Sequence, residues 1–441
     1  FGHHLLACAA VALFASIDSA KAFVPTEVSR PFSLPGNSGS RYAASSRALN
    51  MVSSGFGISV AESTPVAVAD AAKAAAAGIE GEPSLAFVSC TVTRSVEEVR
   101  TEVAKALPEG CPVHGITSSG ALLTKDGSKG GAVGILLIKG DAEGSFETAY
   151  DAESAEAAVK DLKEKMKDPA AILMSATPGA EEGILEELKK SFPGVQVYGG
   201  TAADNELSGD WQVFSRDAQS STGISLIALS KDVKIGASML GPYEETDKKV
   251  TATKTEGRRV FEIDGKPAAD WVNEWLSSLG DDIKEQYENG GLILPQTAQR
   301  PIGIKKPSGE YVTNHLAAFG GEEKFVDFFA PIPEGAELVV MDSGEGPATG
   351  YADALSKAYD VALEQGSLGE GGPKAGLLVF CGGMAIAVGD NLDAGLSSEG
   401  FSAKVDGLPL LGMTCFGEQA YLAGEKENVQ RNLSVGMILL G

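Results

Sequence analysis

Short apolar runs separated by glycine turns recur along this chain in a set order. An apolar run over residues 85–90 is followed by Cys111-Pro-Val-His-Gly-Ile-Thr-Ser-Ser-Gly120 and a longer run over 131–138. The order returns with residues 171–175, then Val195-Gln-Val-Tyr-Gly-Gly-Thr-Ala-Ala-Asp204, then 222–229. It returns once more with residues 376–381, then Leu408-Pro-Leu-Leu-Gly-Met-Thr-Cys-Phe-Gly-Glu418, then 432–440. Apolar runs this short read as buried strands, and a glycine after each reads as a turn or a close backbone approach. Repetition at this scale organises the whole chain. The expected fold is α/β, with α+β as the alternative. Its mixed sheets are built from three similar strand–helix–strand–strand units in two pseudo-repeated halves.

The segments between these runs supply the helices. Ser95 opens a stretch with apolar residues at helical spacing and a glutamate three positions on, a capping-box signature. Residues 154–166 and 180–192 predict two more helices, whose Lys and Glu runs read as solvated faces. A polar stretch, 241–249, reads as a hinge between halves. Beyond it, residues 260–263 predict a strand, Asp264-Gly265 a hairpin turn, and Pro267 the first turn of a helix. Trp271 and Trp275 then share one core-facing side of that helix. Alternation over 290–342 predicts several antiparallel strands. A helix over 351–364 lies between loops at 343–350 and 366–372.

Composition narrows the function. The 441 residues carry a net charge of −24 and 43% hydrophobic content, enough for two or three folded domains. That charge, without a basic stripe bearing interleaved aromatics, argues against nucleic-acid binding. Residues 1–22 carry an apolar run too short to span a bilayer and end in Ala20-Lys-Ala22, a small-residue cleavage site; they predict a signal peptide. Residues 23–53 are Ser/Arg-rich and acid-poor, as transit peptides are. The junction resembles the bipartite plastid presequence of algae with secondary plastids, which implies residence in the chloroplast stroma; the secretory pathway is the alternative. No membrane span is expected in the mature chain. The five cysteines, at 8, 90, 111, 381 and 415, have no framework spacing and read as reduced thiols.

Catalytic signatures are sparse. Neither Gly-x-Ser-x-Gly nor a phosphate-loop pattern occurs, and Asp204, Asp264, Asp270 and Glu418 are not paired by anything in the sequence. His114 and His315 with the thiols lack zinc-ligand spacing, so no metal and no cofactor is expected. Cys381 ends a strand beside a glycine-rich turn, where it is either a small buried residue or a nucleophile with His114 or His315 as base. The turn Gly199-Gly200-Thr201 offers backbone free of Cβ to a ligand, or simply turn geometry.

At this level the repeats resemble a known family. Val197-Tyr-Gly-Gly-Thr-Ala-Ala-Asp-Asn205 is similar to the signature of FIST N-domains, as is the turn in Pro112-Val-His-Gly-Ile-Thr-Ser-Ser-Gly120. Gly257-Arg-Arg-Val-Phe-Glu-Ile-Asp-Gly-Lys-Pro267 resembles the entry to a FIST C-domain, and Phe380-Cys381, residues 411–418 and Asn432 its closing motifs. The resemblance implies a FIST N-domain over 54–241 and a FIST C-domain over 250–441. It also implies a sensory, signal-transducing role in binding a small metabolite such as an amino acid. The ligand-binding residues it implies are Gly199, Gly200, Thr201, Asp204, Asn205, Cys381, Gly417 and Glu418. Glu418 would meet a cationic group, the glycines would present backbone donors, and Asp204 would orient its loop. Two departures stand out: Met384 replaces an Arg usual after the C-domain Cys, and Ala121 a common Glu. A scaffold or protein-partner role, or a thiol-dependent enzyme using Cys381, are the alternatives.

Overall fold

Each repeat folds as strand, helix, strand, helix, strand, hairpin, strand. The computed structural model describes residues 52–343, 347–366, 368 and 371–441. The expected signal peptide and nearly all of the expected transit peptide lie outside the described residues. The first unit comprises β1 (Ser53–Ser59), α1 (Thr64–Ala77), β2 (Leu85–Thr91), α2 (Val96–Ala106) and β3 (Val113–Ser118). The hairpin β4 (Ala121–Thr124) and β5 (Gly127–Gly130) and the strand β6 (Val133–Lys139) complete it. The second unit comprises β7 (Phe146–Asp151), α3 (Ala155–Lys165), β8 (Ala171–Ala176), α4 (Glu181–Ser191) and β9 (Gln196–Gly200). It closes with the hairpin β10 (Val213–Phe214) and β11 (Gln219–Ser220), then β12 (Ile224–Leu229).

The third unit opens with β13 (Ile235–Leu240) and is interrupted by an insert. The insert begins with β14 (Glu244–Glu256), β15 (Arg259–Ile263), β16 (Lys266–Pro267), α5 (Ala268–Ser278), α6 (Lys284–Asn289) and β17 (Gly291–Leu292). It continues with α7 (Leu294–Thr297), β18 (Ile302–Lys305), β19 (Tyr311–Asn314), β20 (Leu316–Phe319), β21 (Val326–Phe328) and β22 (Glu337–Asp342). The unit then resumes with α8 (Pro347–Gln365), β23 (Ala375–Cys381), α9 (Gly382–Val388), α10 (Leu392–Leu396), α11 (Glu399–Ser402) and β24 (Leu410–Cys415). The hairpin β25 (Glu418–Leu422) and β26 (Glu427–Arg431) leads into β27 (Val435–Leu440).

Local chemistry explains these elements. Ser95 caps α2 by accepting the Glu98 N–H at 3.3 Å, and Ser154 caps α3 by accepting the Ala157 N–H at 3.1 Å. Asp264 and Gly265 both adopt positive φ, as the tight turn between β15 and β16 requires. Pro267 is the N-cap residue of α5. The polar stretch read as a hinge is mostly the long strand β14. An opening strand and helix, β1–α1 in the first unit, precede the run from which each repeat was recognised. They are faint in the sequence because β1 is glycine-rich: a Cβ on Gly55 would lie 1.9 Å from the Ala75 carbonyl oxygen of α1.

The sheets exchange hairpins. Their orders are β1-β6-β2-β3-β10-β11, β26-β25-β9-β8-β12-β7 and β13-β27-β23-β24-β4-β5. Each sheet therefore holds four strands of one unit and the hairpin of the next, and the exchange closes in a ring. In every sheet one central pair is parallel, namely β2–β3, β8–β9 and β23–β24. The inner faces of all three share one apolar core containing Ile116, Leu136, Leu173, Ile227, Leu377 and Met413. Helices cover the outer faces with separate clusters. The insert forms its own antiparallel sheet around Trp275, Val260 and Leu338, with Trp271 packed alongside.

Candidate functional site

The carboxyl ends of the parallel strands converge, and the glycine–threonine turns bond to one another there. The Thr201 N–H donates to the Gly417 carbonyl at 2.9 Å, and the Phe416 N–H donates to the Thr201 carbonyl at 3.1 Å. Between the first and third units, the Thr414 N–H donates to Ser118 Oγ at 2.8 Å. Between the first and second, the Gln212 N–H donates to Thr117 Oγ1 at 2.9 Å. The glycines make these close approaches possible. A Cβ on Gly199 would lie 1.8 Å from the Met174 carbonyl oxygen, and one on Gly200 would lie 2.4 Å from Cys415 Sγ. A Cβ on Gly417 would lie 2.0 Å from Gln430 Nε2. The protein's own atoms occupy the space these glycines leave.

Register identifies what distinguishes one sheet from the others. Gly115 pairs with Phe214, Gly412 with Leu123 and Gly199 with Gln419, so these three glycines hold equivalent places. One residue along, Ile116 pairs with Val213, Met413 with Leu122 and Gly200 with Glu418. Val213 and Leu122 belong to the shared central core. The equivalent residue in the second sheet is a carboxylate. Glu418 is paired across β25–β26 with Arg431, and directly opposed residues put their side chains on one face. Both are buried, at 0% and 3% relative exposure.

These two side chains do not form an ion pair. Glu418 Oε2 accepts the Ser434 N–H at 3.2 Å, while Oε1 has no hydrogen-bond partner among the described residues. Arg431 donates through Nη1 to the Met239 carbonyl at 3.0 Å and through Nη2 to Thr313 Oγ1 at 3.5 Å; its Nε is unpartnered among the described residues. Glu310 approaches Arg431 at 3.8 Å from a half-exposed position. Thr313 of the insert is tied twice to Asn432: the Asn432 N–H donates to the Thr313 carbonyl, and Thr313 Oγ1 donates to the Asn432 carbonyl. Asn432 and Asn314 are buried with both amide atoms unpartnered among the described residues.

Cys381 and Cys415 complete this cluster as register partners at the ends of β23 and β24. Cys381 Sγ accepts the Leu433 N–H at 3.2 Å. Leu433 is fully buried with φ +52°, a left-handed conformation costly for a non-glycine residue. Burial pushes the Glu418 carboxyl well above the usual carboxylate range, against the hydrogen bond from the Cys381 thiol and the positive charge of Arg431. Burial, reinforced by Glu418, likewise pushes both thiols up. His315, from the insert, packs against Gly383, and burial pushes its imidazole down to about 4.

A second polar group lies on the opposite face of the same hairpin. Gln419 Nε2 donates to Thr201 Oγ1 at 2.9 Å and to Gln430 Oε1 at 2.7 Å, and Thr201 Oγ1 donates to Glu181 Oε1 at 3.0 Å. Arg258 of the insert closes the chain by donating to Glu181 Oε2 at 2.8 Å and by bonding Glu182. Burial raises the Glu181 carboxyl, against the charge of Arg258.

The expected site residues divide accordingly. Cys381 and Glu418 come together with Arg431, Thr313 and the backbone of Asn432. Thr201 and Gly417 lie at the junction behind them, with Gly199 and Gly200 packed by backbone and Cys415. Asp204 orders its loop by accepting backbone N–H groups from Glu206, Leu207, Gly209 and Asp210. Asn205 is exposed and accepts the Gly120 N–H at 2.7 Å. The sequence does not single out Arg431 or Thr313. The signal for Arg431 is a charged residue immediately before the apolar closing run of a repeat; Thr313 lies in the insert, which has no repeat counterpart.

This is an α/β ring of three exchanged units with a buried polar cluster at the carboxyl ends of its strands, where α/β proteins place ligands. Residues 84–266 match the FIST N domain and residues 268–421 match the FIST C domain. The chain carries both FIST domains, and the boundary between them falls at Pro267, inside the insert. An uncharacterised protein of Methanocaldococcus jannaschii is 30% identical over 187 residues, covering 41% of this chain and 36% of that relative. The chain thus spans well under half the length of this relative. Cyanuric acid hydrolase from A. caulinodans aligns with 41% of this chain over 72% of its own, at 13% identity and TM-score 0.21. Phosphoribosylformylglycinamidine synthase II from Thermotoga maritima aligns with 88% over 72% of its own, at 10% identity and TM-score 0.19.

Proposed function

We propose that this chain is a sensory module that binds a small metabolite, such as an amino acid, at the Glu418–Arg431 cluster. FIST domains imply a ligand-binding sensory role. The observation that carries the assignment is the break in threefold equivalence: Val213 and Leu122 fill the core where Glu418 stands opposite a buried Arg431. Buried polar atoms without partners are costly and demand an explanation, and a polar ligand supplies one. Arg431 brings a guanidinium to the cluster even though Met384, buried in α9, stands where the family usually has Arg.

A non-catalytic role accords with Cys381, whose thiol is buried and raised, the opposite of what an activated thiolate needs. Plastid residence remains part of the proposal; imaging of the fluorescently tagged chain tests it, and retention in the secretory pathway contradicts it. The decisive experiment is a thermal-shift screen of amino acids, nucleotides and other metabolites with the native chain and Arg431→Gln. One chemical class should stabilise the native protein, by about 2.7 kcal/mol at a hundredfold excess over Kd, and leave the variant unaffected. An equal shift in both would remove Arg431 from the site.

A further inference from the structure

We infer that the ligand is a small organic anion whose carboxylate rests against Arg431, with Glu418 acting toward it as a hydrogen-bond donor. This rests on the cluster being the binding site and names the chemistry it takes. Arg431 keeps its charge even when buried, yet its two hydrogen-bond partners, the Met239 carbonyl and the Thr313 hydroxyl, are neutral. Glu310 is its only ion-pair contact among the described residues, at 3.8 Å and with 41% of its side chain exposed. A buried charge compensated so weakly is expensive.

Glu418 is the obvious counterion and does not serve as one. It lies directly across the hairpin from Arg431 without touching it, and its surroundings are the Cys381 and Cys415 thiols and the Ser434 N–H. Burial favours its neutral acid form, which accepts through one oxygen and donates through the other. Arg431 Nε–H and the Glu418 hydroxyl then present two donors on one face of the hairpin, beside a single buried positive charge. Tyr243 and its hydrogen-bond partner Tyr351 are held neutral by burial, as is His315 against Gly383. An acceptor-rich monoanion complements that face. A cation would face Arg431 across the roughly 5 Å that separates opposed side chains on paired strands.

The test uses the full chain with acetate, glycine and ethylammonium as probes. Acetate and glycine should raise the unfolding midpoint saturably, and ethylammonium should not. Glu418→Gln should retain the acetate effect because its amide N–H replaces the acid O–H; Arg431→Gln should lose it, and Arg431→Lys should keep part of it. Infrared difference spectra at neutral pH should show a protonated-carboxyl band in the native chain that is missing in Glu418→Gln, a readout independent of any ligand. Stabilisation by ethylammonium that disappears in Glu418→Gln would overturn the anion assignment while leaving the site in place. Absence of the carboxyl band, or no response to acetate and glycine, would also overturn it. The site itself falls only if metabolite binding is indifferent to Arg431.

Discussion

Gly200 shows what one missing Cβ contributes. A methyl group there would press on Cys415 Sγ and, at 3.0 Å, on Val379 Cγ1. Gly200→Ala should lower stability by about 1–3 kcal/mol in urea denaturation, with no change expected if the glycine served only a ligand. His114 contributes through protonation. It lies between Ser225 Oγ, 2.7 Å from Nδ1, and Ser175 Oγ, 2.9 Å from Nε2, and burial pushes its imidazole down to about 3. Because the folded-state pKa is depressed, the stability it confers is complete above the unfolded value of about 6.5. That stability is lost as pH falls toward 3, with His315 acting in the same direction. His114→Gln should flatten the acid limb, whereas an unchanged limb would assign it elsewhere. Glu418 has the opposite sign: its raised pKa stabilises the fold below the ordinary carboxylate range and less as pH rises. Glu418→Gln should therefore reduce the loss of stability on the alkaline side.

Among the elements, the exchanged hairpins were the least legible part of the fold. The repeated apolar runs announced the central strands, and Ser95 and Ser154 announced their helices. That β25 would pair with β9, or β4 with β24, depends on register between strands more than two hundred residues apart, and no local pattern encodes it. The insert escaped for a related reason, since its polar first strand, β14, has the composition of a linker. Arg258 ties this insert to α4 through Glu181 and Glu182. Arg258→Met should cost about 3–5 kcal/mol by leaving Glu181 buried without its cation, and Arg258→Met with Glu181→Gln should restore most of it. Equal stability of the single and double variants would show that the pair is not coupled.

For the whole molecule, three sheets enclose one core, and the site is the place where that core stops being apolar. The sequence pointed toward it through Cys381 and Glu418, both at the ends of repeated runs. Arg431 and Thr313 became site residues only once the hairpin and the insert were folded over the strand ends. The central claim is that the buried pair is retained for binding rather than for folding. Its most direct test is the urea midpoint of Glu418→Leu/Arg431→Met, which gives position 418 an apolar side chain like its counterparts Val213 and Leu122 and removes the guanidinium opposite it. The account predicts stability equal to the native chain, or greater by about 1–4 kcal/mol, as when buried charges give way to well-packed apolar groups. A fall of several kcal/mol would show that the cluster holds the fold together and would contradict the account.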